Sequence, residues 1–230
     1  MANEKQDVHF ENVVGHLVKP ERPNGAGIVI LPTIFGLNAV IRGIADAFAN
    51  LGFTALLWDH YAGEAPKTEH VQAVAMSRNL TDGPAVADMQ KCVTYLMETQ
   101  RQKSVGAIGY CLGGRYIFML GARERRLGAA VAVYPSIEVP NHPNQSDDAV
   151  ALAAEVRAPV MLAYPGKDEV TSKDTFHKLQ QRLQSRPQPS ITLLYPEADH
   201  GFLWRPGDHN KKAAAHAQPL IDTFFKTWLT

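Results

Sequence analysis

Ser104-Val-Gly-Ala-Ile-Gly-Tyr-Cys-Leu-Gly-Gly114 is the stretch of this 230-residue chain that decides its fold. It begins as a short apolar run typical of a buried strand and continues through Gly109-Tyr-Cys-Leu-Gly113 into a helical pattern. A glycine two residues to either side of a central residue lets a strand turn sharply into a helix without clashes of Cβ atoms. Such a turn presents a nucleophile at its apex, and the apex residue here is Cys111.

The setting of Cys111 favours a reactive thiolate. The helix after the turn aims its N-terminal N–H groups and the positive end of its dipole at the sulfur, and both stabilise negative charge there. Two other interpretations stay open: a structural thiol buried in a glycine-rich turn, and a redox sensor that reacts with peroxide. The second cysteine, Cys92, lies among apolar residues at helical spacing, which is typical of a small buried side chain.

Strands and helices alternate on both sides of this turn. Short apolar runs alternate with longer runs of helical periodicity, a pattern that is typical of βαβ units. We predict strands at residues 27–31, 53–58, 104–109, 129–134, 160–164 and 190–195, and helices at 39–51, at 69–100 with a break near Asp82-Gly-Pro84, and at 115–122, 172–183 and 211–229. No repeat or linker divides the chain, so the sequence predicts a single α/β domain of residues 1–230. Its central sheet is expected to be mostly parallel, with helices on both faces.

A nucleophile needs a general base, and two residues late in the chain are suitably placed. In folds with this turn the order along the chain is nucleophile, acid, histidine. His200 lies in a loop after the last predicted strand, and Asp168 follows the strand before it. A carboxylate there can accept a hydrogen bond from the Nδ1–H of the histidine and fix its tautomer. The alternatives are a solvated loop histidine and an unpaired surface acid, with Glu169 adjacent.

Two backbone N–H groups are candidates for stabilising an oxyanion. One belongs to Leu112, the residue after the nucleophile. The other belongs to the loop Pro32-Thr-Ile-Phe-Gly-Leu-Asn38, which follows the first core strand. Pro32 forces an extended exit from that strand and Gly36 permits a tight return, so Ile34 is the best candidate in the loop.

Composition excludes several other classes of function. The chain carries 23 Lys and Arg and 23 Asp and Glu, so its net charge gives no reason to expect nucleic acid or an anionic membrane as partner. The polar N-terminus lacks the features of a secretory signal, and no apolar run is long enough to cross a bilayer, so we expect a cytoplasmic protein. No His and Cys cluster has metal-ligand spacing and no glycine pattern fits a phosphate loop, so no metal or cofactor is expected.

Taken together, these motifs resemble the dienelactone hydrolase (carboxymethylenebutenolidase) family of the α/β-hydrolase superfamily. The matching pieces are spread over nearly the whole chain in the family's order: Ile34-Phe-Gly-Leu-Asn38, Asp59-His-Tyr-Ala62, Gly109-Tyr-Cys-Leu-Gly-Gly114, Gly166-Lys-Asp168 and Glu197-Ala-Asp-His-Gly-Phe202. The resemblance implies a cofactor-independent hydrolase with a triad of Cys111, His200 and Asp168 and with oxyanion N–H groups of Ile34 and Leu112. Family members hydrolyse dienelactones to maleylacetate in chloroaromatic breakdown.

One position departs from the family's pattern. Well-studied members carry a glutamate just before the Ile-Phe-Gly piece, where it interacts with the nucleophilic thiol and helps to activate it; this chain has Thr33. A threonine can donate or accept a hydrogen bond but cannot act as a carboxylate base. Activation would then depend on His200 and the helix dipole, or the substrate differs from a dienelactone.

The family binds a substrate carboxylate through arginines. Arg205 follows the histidine closely, displaced by about one residue from the family's arginine, and Arg78 lies in the helical region that tends to roof the site. For both, a solvated surface position is an equal alternative. Phe35, Tyr61 and Trp204 are candidate pocket walls that could equally belong to the core.

The sequence therefore predicts a hydrolase of a small ester or lactone, with or without a carboxylate on the substrate. It acts through Cys111, Asp168 and His200 and an acyl-enzyme. A general carboxylesterase or thioesterase with a relaxed pocket fits almost as well. A non-catalytic ligand-binding protein with the same fold is the alternative from another class. By resemblance we expect a monomer whose only partner is the small-molecule substrate.

Overall fold

A computed structural model describes residues 2–230 and contains one eight-stranded sheet. The strands are β1 (Glu4–Phe10), β2 (Val13–Lys19), β3 (Ala26–Leu31), β4 (Thr54–Trp58), β5 (Ser104–Tyr110), β6 (Leu127–Val133), β7 (Val160–Lys167) and β8 (Ser190–Asp199). Their order in the sheet is β1-β2-β4-β3-β5-β6-β7-β8. β1 and β2 form an antiparallel hairpin that pairs antiparallel with β4, whereas β3 to β8 run parallel. The predicted α/β class with a mostly parallel sheet is confirmed.

Helices cover both faces of this sheet. They are α1 (Ala39–Asn50), α2 (His70–Ser77), α3 (Asp82–Thr94), α4 (Leu112–Arg123), α5 (Ala149–Leu152), α6 (Lys173–Gln184) and α7 (Asp208–Leu229). A π-helical turn, Tyr95–Thr99, extends α3, and a 3₁₀ turn, Ala153–Glu155, follows α5. Helices α1 and α7 pack on one face, and α3, α4, α5 and α6 pack on the other. No helix within residues 2–230 is long and apolar enough to cross a membrane.

Strand β3 shows why the apolar runs in this sequence are continuous. Every residue from Ala26 to Leu31 is buried, because side chains point alternately to two faces that are both covered. Val29 and Leu31 pack under α3 and α4, whereas Ile28 and Ile30 pack under α1 and α7. Alternation between apolar and polar residues is therefore absent from this strand.

The predicted break in the long helical region is present, and several other predicted boundaries differ from the structure. The long helical region breaks at residues 78–81, and Asp82-Gly-Pro84 forms the first turn of α3, where proline is tolerated because the first N–H groups have no intrahelical acceptor. Helix α4 begins at Leu112 rather than at residue 115. Strands β7 and β8 extend to Lys167 and Asp199, three and four residues beyond their predicted ends.

The parallel strands bring three chemically active residues to one edge of the sheet. Cys111 directly follows β5, Asp168 directly follows β7 and His200 directly follows β8. In open parallel sheets ligands bind at the carboxyl ends of the strands, where the connecting loops meet. The topology therefore points to this edge as the candidate site.

Candidate active site

Cys111 occupies a strained turn between β5 and α4. Its backbone has φ 55° and ψ −112°, a left-handed conformation that a non-glycine residue rarely adopts. The chain approaches itself closely on either side: a Cβ atom at Gly109 would lie 2.0 Å from the carbonyl oxygen of Gly113, and one at Gly113 would lie 2.1 Å from that of Leu31. Both glycines are therefore required, and the turn leaves the cysteine side chain partly exposed.

Asp168 and His200 are joined by a hydrogen bond. His200 Nδ1 lies 2.9 Å from Asp168 Oδ2, and the Asp168 side chain is fully buried. The other carboxylate oxygen, Oδ1, accepts backbone N–H groups of Val170 and Thr171, each at 2.8 Å. The carboxylate is thus held on both oxygens, and the hydrogen bond to Nδ1 leaves Nε2 as the free ring nitrogen of His200.

Electrostatics favour the protonated form of His200. Burial opposes the charged form. Hydrogen bonds to Asp168 and Cys111 and the negative charges of both residues outweigh burial and raise the pKa of His200 from 6.5 to about 10. Nε2 is itself buried, and the interaction of His200 with Cys111 is among the causes of the raised pKa. The site thus places His200, whose pKa is raised, beside the sulfur of Cys111.

The loop after β3 lies against the start of α4. Gly113 N–H donates to the Pro32 carbonyl at 3.1 Å, and this bond joins the loop to the first turn of α4. Gly36 N–H donates to the Thr33 carbonyl at 3.2 Å, which fixes the plane of the Thr33–Ile34 peptide. Since C=O and N–H point in opposite directions in a trans peptide, the direction of the Ile34 N–H is fixed as well.

Thr33, which replaces the family's glutamate, and Tyr61 both support this loop. Thr33 Oγ1 accepts the N–H of Phe35 at 3.3 Å, and the Tyr61 hydroxyl donates to the Ile34 carbonyl at 2.8 Å. Tyr61 is buried and its ring packs against Gly36. The structure therefore gives Tyr61 a supporting contact with the loop rather than an open wall position.

The other two residues predicted to line the pocket, Phe35 and Trp204, are both partly exposed. Phe35 is half-buried, with its ring 6.3 Å from that of His70 at the start of α2. Trp204 is 38% exposed and lies over Tyr110 and Tyr134, at ring-centre distances of 5.2 and 5.9 Å. Both rings present apolar surface to solvent near the cysteine turn.

Both predicted arginines are paired with carboxylates of the protein. Arg78, at the end of α2, donates to Glu138 at 2.9 Å, and Arg205 donates to Glu169 at 2.7 Å. Sequence reasoning did not anticipate either partner, because Glu138 is 60 residues from Arg78 and Glu169 is 36 residues from Arg205. Within residues 2–230 no group of three or more His, Cys, Asp or Glu could hold a metal ion.

Tyr134 is a site residue that the sequence did not single out. It directly follows β6 with φ 37°, a strained value, and its ring packs edge-on against the His200 ring at 5.2 Å. Its hydroxyl is buried and has no hydrogen-bond partner among residues 2–230. Burial, followed by the charges of Tyr110 and Cys111, raises its pKa well above the usual value. The available signal was a tyrosine at the end of a strand followed by Pro135, which is too common a pattern to identify a site.

We expect Tyr134 to act through its ring. Tyr134→Phe should change kcat/KM less than about twofold, because it removes only an unpartnered hydroxyl. Tyr134→Ala should cost about 3–5 kcal/mol of stability through the cavity it leaves. It should also lower kcat/KM at temperatures where the variant is fully folded, because His200 loses its packing partner. Steady-state kinetics beside thermal unfolding test this, and a fully active, folded Tyr134→Ala protein would reject the role.

A family model and a sequence relative indicate the same family. The model described as "Dienelactone hydrolase family" matches residues 13–229. A carboxymethylenebutenolidase of Rhodococcus opacus is 29% identical over 218 residues, which cover 90% of this chain and 83% of the relative.

Solved structures share the fold over the full length of both chains. A dienelactone hydrolase-like promiscuous phosphotriesterase from metagenomic libraries superposes with a TM-score of 0.81 at 20% identity, covering 100% of each chain. A dienelactone hydrolase from Anabaena variabilis superposes with a TM-score of 0.74 at 17% identity, with the same coverage. At these identities the likeness extends to the fold alone.

Proposed function

This chain belongs to the dienelactone hydrolase family, and from that premise we propose that it hydrolyses a small ester or lactone through Cys111, His200 and Asp168. The observation that carries the proposal is the ordered hydrogen bond between Asp168 and His200 at the strand ends beside a strained cysteine. Asp168 holds His200 so that its Nε2 is free, as a nucleophile and base require.

The first half-reaction forms an acyl-enzyme. The thiolate of Cys111 attacks the carbonyl carbon, and the N–H groups of Ile34 and Leu112 donate to the oxyanion that develops. The ester C–O bond then breaks, and His200 transfers its Nε2 proton to the departing oxygen. A raised pKa suits this step, because the imidazolium is the required form at neutral pH.

The second half-reaction needs His200 as a base. Once the sulfur is acylated, Cys111 carries no charge, so two of the interactions that raise the His200 pKa disappear. The imidazole can then accept a proton from water, whose oxygen attacks the thioester carbonyl. Collapse of the tetrahedral intermediate breaks the C–S bond and releases the acid with the thiolate restored.

A general carboxylesterase or thioesterase is the second candidate. Thr33 favours it, because a threonine offers no carboxylate to the thiol and its hydroxyl oxygen accepts the Phe35 N–H. Activation then depends on the histidine and on the N-terminus of α4, which act on any acyl group that the pocket admits.

A three-substrate panel tests the proposal and separates the two candidates. A dienelactone, p-nitrophenyl acetate and a thioester are offered to the wild-type protein, and intact mass is recorded after rapid acid quenching. We expect turnover and an acyl adduct on Cys111. Hydrolysis of the dienelactone alone would favour the lactone reaction, and hydrolysis of the other two would favour the broader esterase. Absence of turnover on all three would reject both.

The pH dependence of kcat/KM follows from the pKa of His200. Acylation needs the imidazolium, so kcat/KM is expected to fall as pH rises through about 10 rather than near neutrality. Asp168→Asn removes a hydrogen-bonded charge that raises this pKa, so the alkaline limit should move to lower pH. The rate should also fall, by roughly 10³- to 10⁴-fold. An alkaline limit that does not move in Asp168→Asn would show that another group controls it.

A further inference from the structure

We propose that Thr171 is a positioning residue of this enzyme: its hydroxyl fixes the loop of the acid Asp168 against the segment that holds the nucleophile Cys111. The proposal rests on the hydrolase function proposed above and adds to it a residue that acts through its neighbours rather than on the substrate. It is carried by four hydrogen bonds, which use the N–H, the carbonyl and the hydroxyl of Thr171, the hydroxyl both as donor and as acceptor.

The backbone of Thr171 holds the carboxylate of the acid. Its N–H donates to Asp168 Oδ1 at 2.8 Å, and the other oxygen of that carboxylate is hydrogen-bonded to His200. The Thr171 carbonyl accepts the hydroxyl of Tyr164, in β7, at 2.6 Å. A shift of Thr171 would therefore move a donor that orients Asp168, and the orientation of His200 depends on Asp168 in turn.

The side chain of Thr171 bonds to the segment that follows β6. Its hydroxyl donates to the Pro135 carbonyl at 2.7 Å, and the same oxygen accepts the Ile137 N–H at 2.9 Å. All three residues are buried, and Thr171 is 0% exposed. An apolar side chain of similar shape would leave a buried carbonyl and a buried N–H without these partners, which is costly in a protein interior. The hydroxyl therefore joins two loops that packing alone would leave unbonded.

The segment after β6 also holds the cysteine turn. Cys111 donates its N–H to the Val133 carbonyl at 3.1 Å, and Ser136 donates its N–H to the Cys111 carbonyl at 2.9 Å. Tyr134 lies between these two bonds, with its ring 5.2 Å from the ring of His200. The segment is thus in contact with both the nucleophile and the histidine.

The hydroxyl of Thr171 consequently lies on a short path from the acid to the nucleophile. Asp168 is bonded to the Thr171 N–H, the Thr171 hydroxyl is bonded to the segment after β6, and that segment is bonded to Cys111. Without the hydroxyl the two loops are free to shift relative to each other. The hydrogen bonds of His200 with Asp168 and Cys111, which raise its pKa, would then weaken, and the pKa of His200 would fall.

Two substitutions at Thr171 test this role. Valine has nearly the shape of threonine without the hydroxyl, whereas serine keeps the hydroxyl. We expect Thr171→Val to lower kcat/KM for p-nitrophenyl acetate roughly 10- to 100-fold, because catalytic groups are displaced. The alkaline limit of kcat/KM should also move to lower pH, because the pKa of His200 falls. Thr171→Ser should retain most of the wild-type kcat/KM and its alkaline limit.

The pKa of His200 can be followed without turnover. Protein labelled with ¹⁵N-histidine is titrated by NMR, and the His200 signal is assigned by its absence from the His200→Gln variant. We expect a lower pKa in Thr171→Val than in the wild type, and a wild-type pKa in Thr171→Ser. This measurement separates a change at the site from a general loss of activity.

Arg186→Met is the matched control for lost stability. Arg186 is buried and donates to the carbonyls of Val156 and Ala158, at 2.6 and 3.1 Å, before the start of β7 and thus at the opposite edge of the sheet. Its replacement also leaves buried backbone groups without their partner. It should lower the melting temperature but change neither kcat/KM nor the pKa of His200 when both are measured well below the melting temperature.

Three results would overturn the positioning role: an unchanged pKa of His200 in Thr171→Val, equal losses of kcat/KM in Thr171→Ser and Thr171→Val, or the same fall of the pKa in Arg186→Met. Failure of the hydrolase function would be recognised separately. If the wild type turned over none of the three substrates of the panel above, that function would be rejected, and the NMR titration would still decide for or against the role of Thr171.

Discussion

Cys111→Ala is expected to lower kcat/KM by about 10⁴-fold or more on any substrate that the wild type turns over. The remaining histidine and N–H groups can orient water but cannot form the thioester, so no acyl adduct should appear in the intact mass. The fold should survive, because the residue is only partly buried and alanine adopts the same backbone at a similar cost. Steady-state kinetics and far-UV circular dichroism measure the two effects.

Cys111→Gly should separate catalysis from stability. The φ of 55° is strained for cysteine and free of Cβ strain for glycine, so this variant should be inactive yet as stable as the wild type, or more stable by about 1 kcal/mol. A stabilised, inactive protein would show that the turn stores strain at the nucleophile. If Cys111→Gly unfolds more easily than Cys111→Ala, that interpretation is wrong.

Cys92→Ala is the matched control for both variants. Cys92 is fully buried in the core between α3 and the sheet, and burial raises its pKa well above the usual value, so its thiol stays protonated. Its replacement should cost about 1 kcal/mol of stability and leave kcat/KM unchanged. If Cys92→Ala abolished activity while Cys111→Ala retained it, the assignment of Cys111 as the nucleophile would be contradicted. Peroxide sensitivity that needs neither His200 nor Asp168 would favour the redox-sensor interpretation.

The second large effect is expected at a buried ion pair beneath the cysteine turn. Arg115, in the first turn of α4, donates to both oxygens of Asp82 at 2.7 and 2.9 Å, and the two side chains are 0% and 1% exposed. Arg115 also donates to the Asp147 carbonyl at 2.9 Å, and Asp82 accepts the Asp147 N–H at 2.8 Å. One buried network therefore ties α3, α4 and the segment before α5 together.

Arg115→Met should reduce the free energy of unfolding by about 3–5 kcal/mol, because it leaves the Asp82 carboxylate buried without a counter-ion. For a chain of this size the melting temperature should fall by roughly 10 °C. Asp82→Asn/Arg115→Met should be less destabilised than Arg115→Met alone, since an amide still accepts the Asp147 N–H without a charge. Urea unfolding of the double-mutant cycle measures the coupling between the two residues.

An exposed pair provides the control for this cycle. Lys178 and Asp174 on α6 are 2.7 Å apart, with side chains 59% and 75% exposed, so Lys178→Met should change stability by less than about 0.5 kcal/mol. If Arg115→Met were equally mild, burial would not be what makes the Asp82 pair important. If the double variant were less stable than Arg115→Met, the remaining charge would not be the cause of the loss.

Local sequence alone determined the chain's class and the position of its candidate nucleophile. Continuous apolar runs predict strands covered on both faces, and the spacing of Gly109, Cys111 and Gly113 requires a tight strand-to-helix turn, because both glycine positions lack room for a Cβ atom. Asp168 and His200 could be identified because each follows a strand. They also occur in the order nucleophile, acid, histidine that is typical of folds with this turn. These features depend on contacts within a few residues or on strand order, so they can be predicted from the sequence.

Tertiary structure alone decided the partners of the charged and aromatic side chains. Glu138 pairs with Arg78 although 60 residues separate them, and Asp82 pairs with Arg115 although 33 residues separate them. Tyr134 packs on His200 from the end of another strand. No periodicity encodes such pairs, because they arise where the loops of separate βαβ units converge at the carboxyl edge of the sheet. The sequence therefore specifies the candidate nucleophile, acid and histidine, and the convergence of distant loops specifies which charged and aromatic side chains surround them.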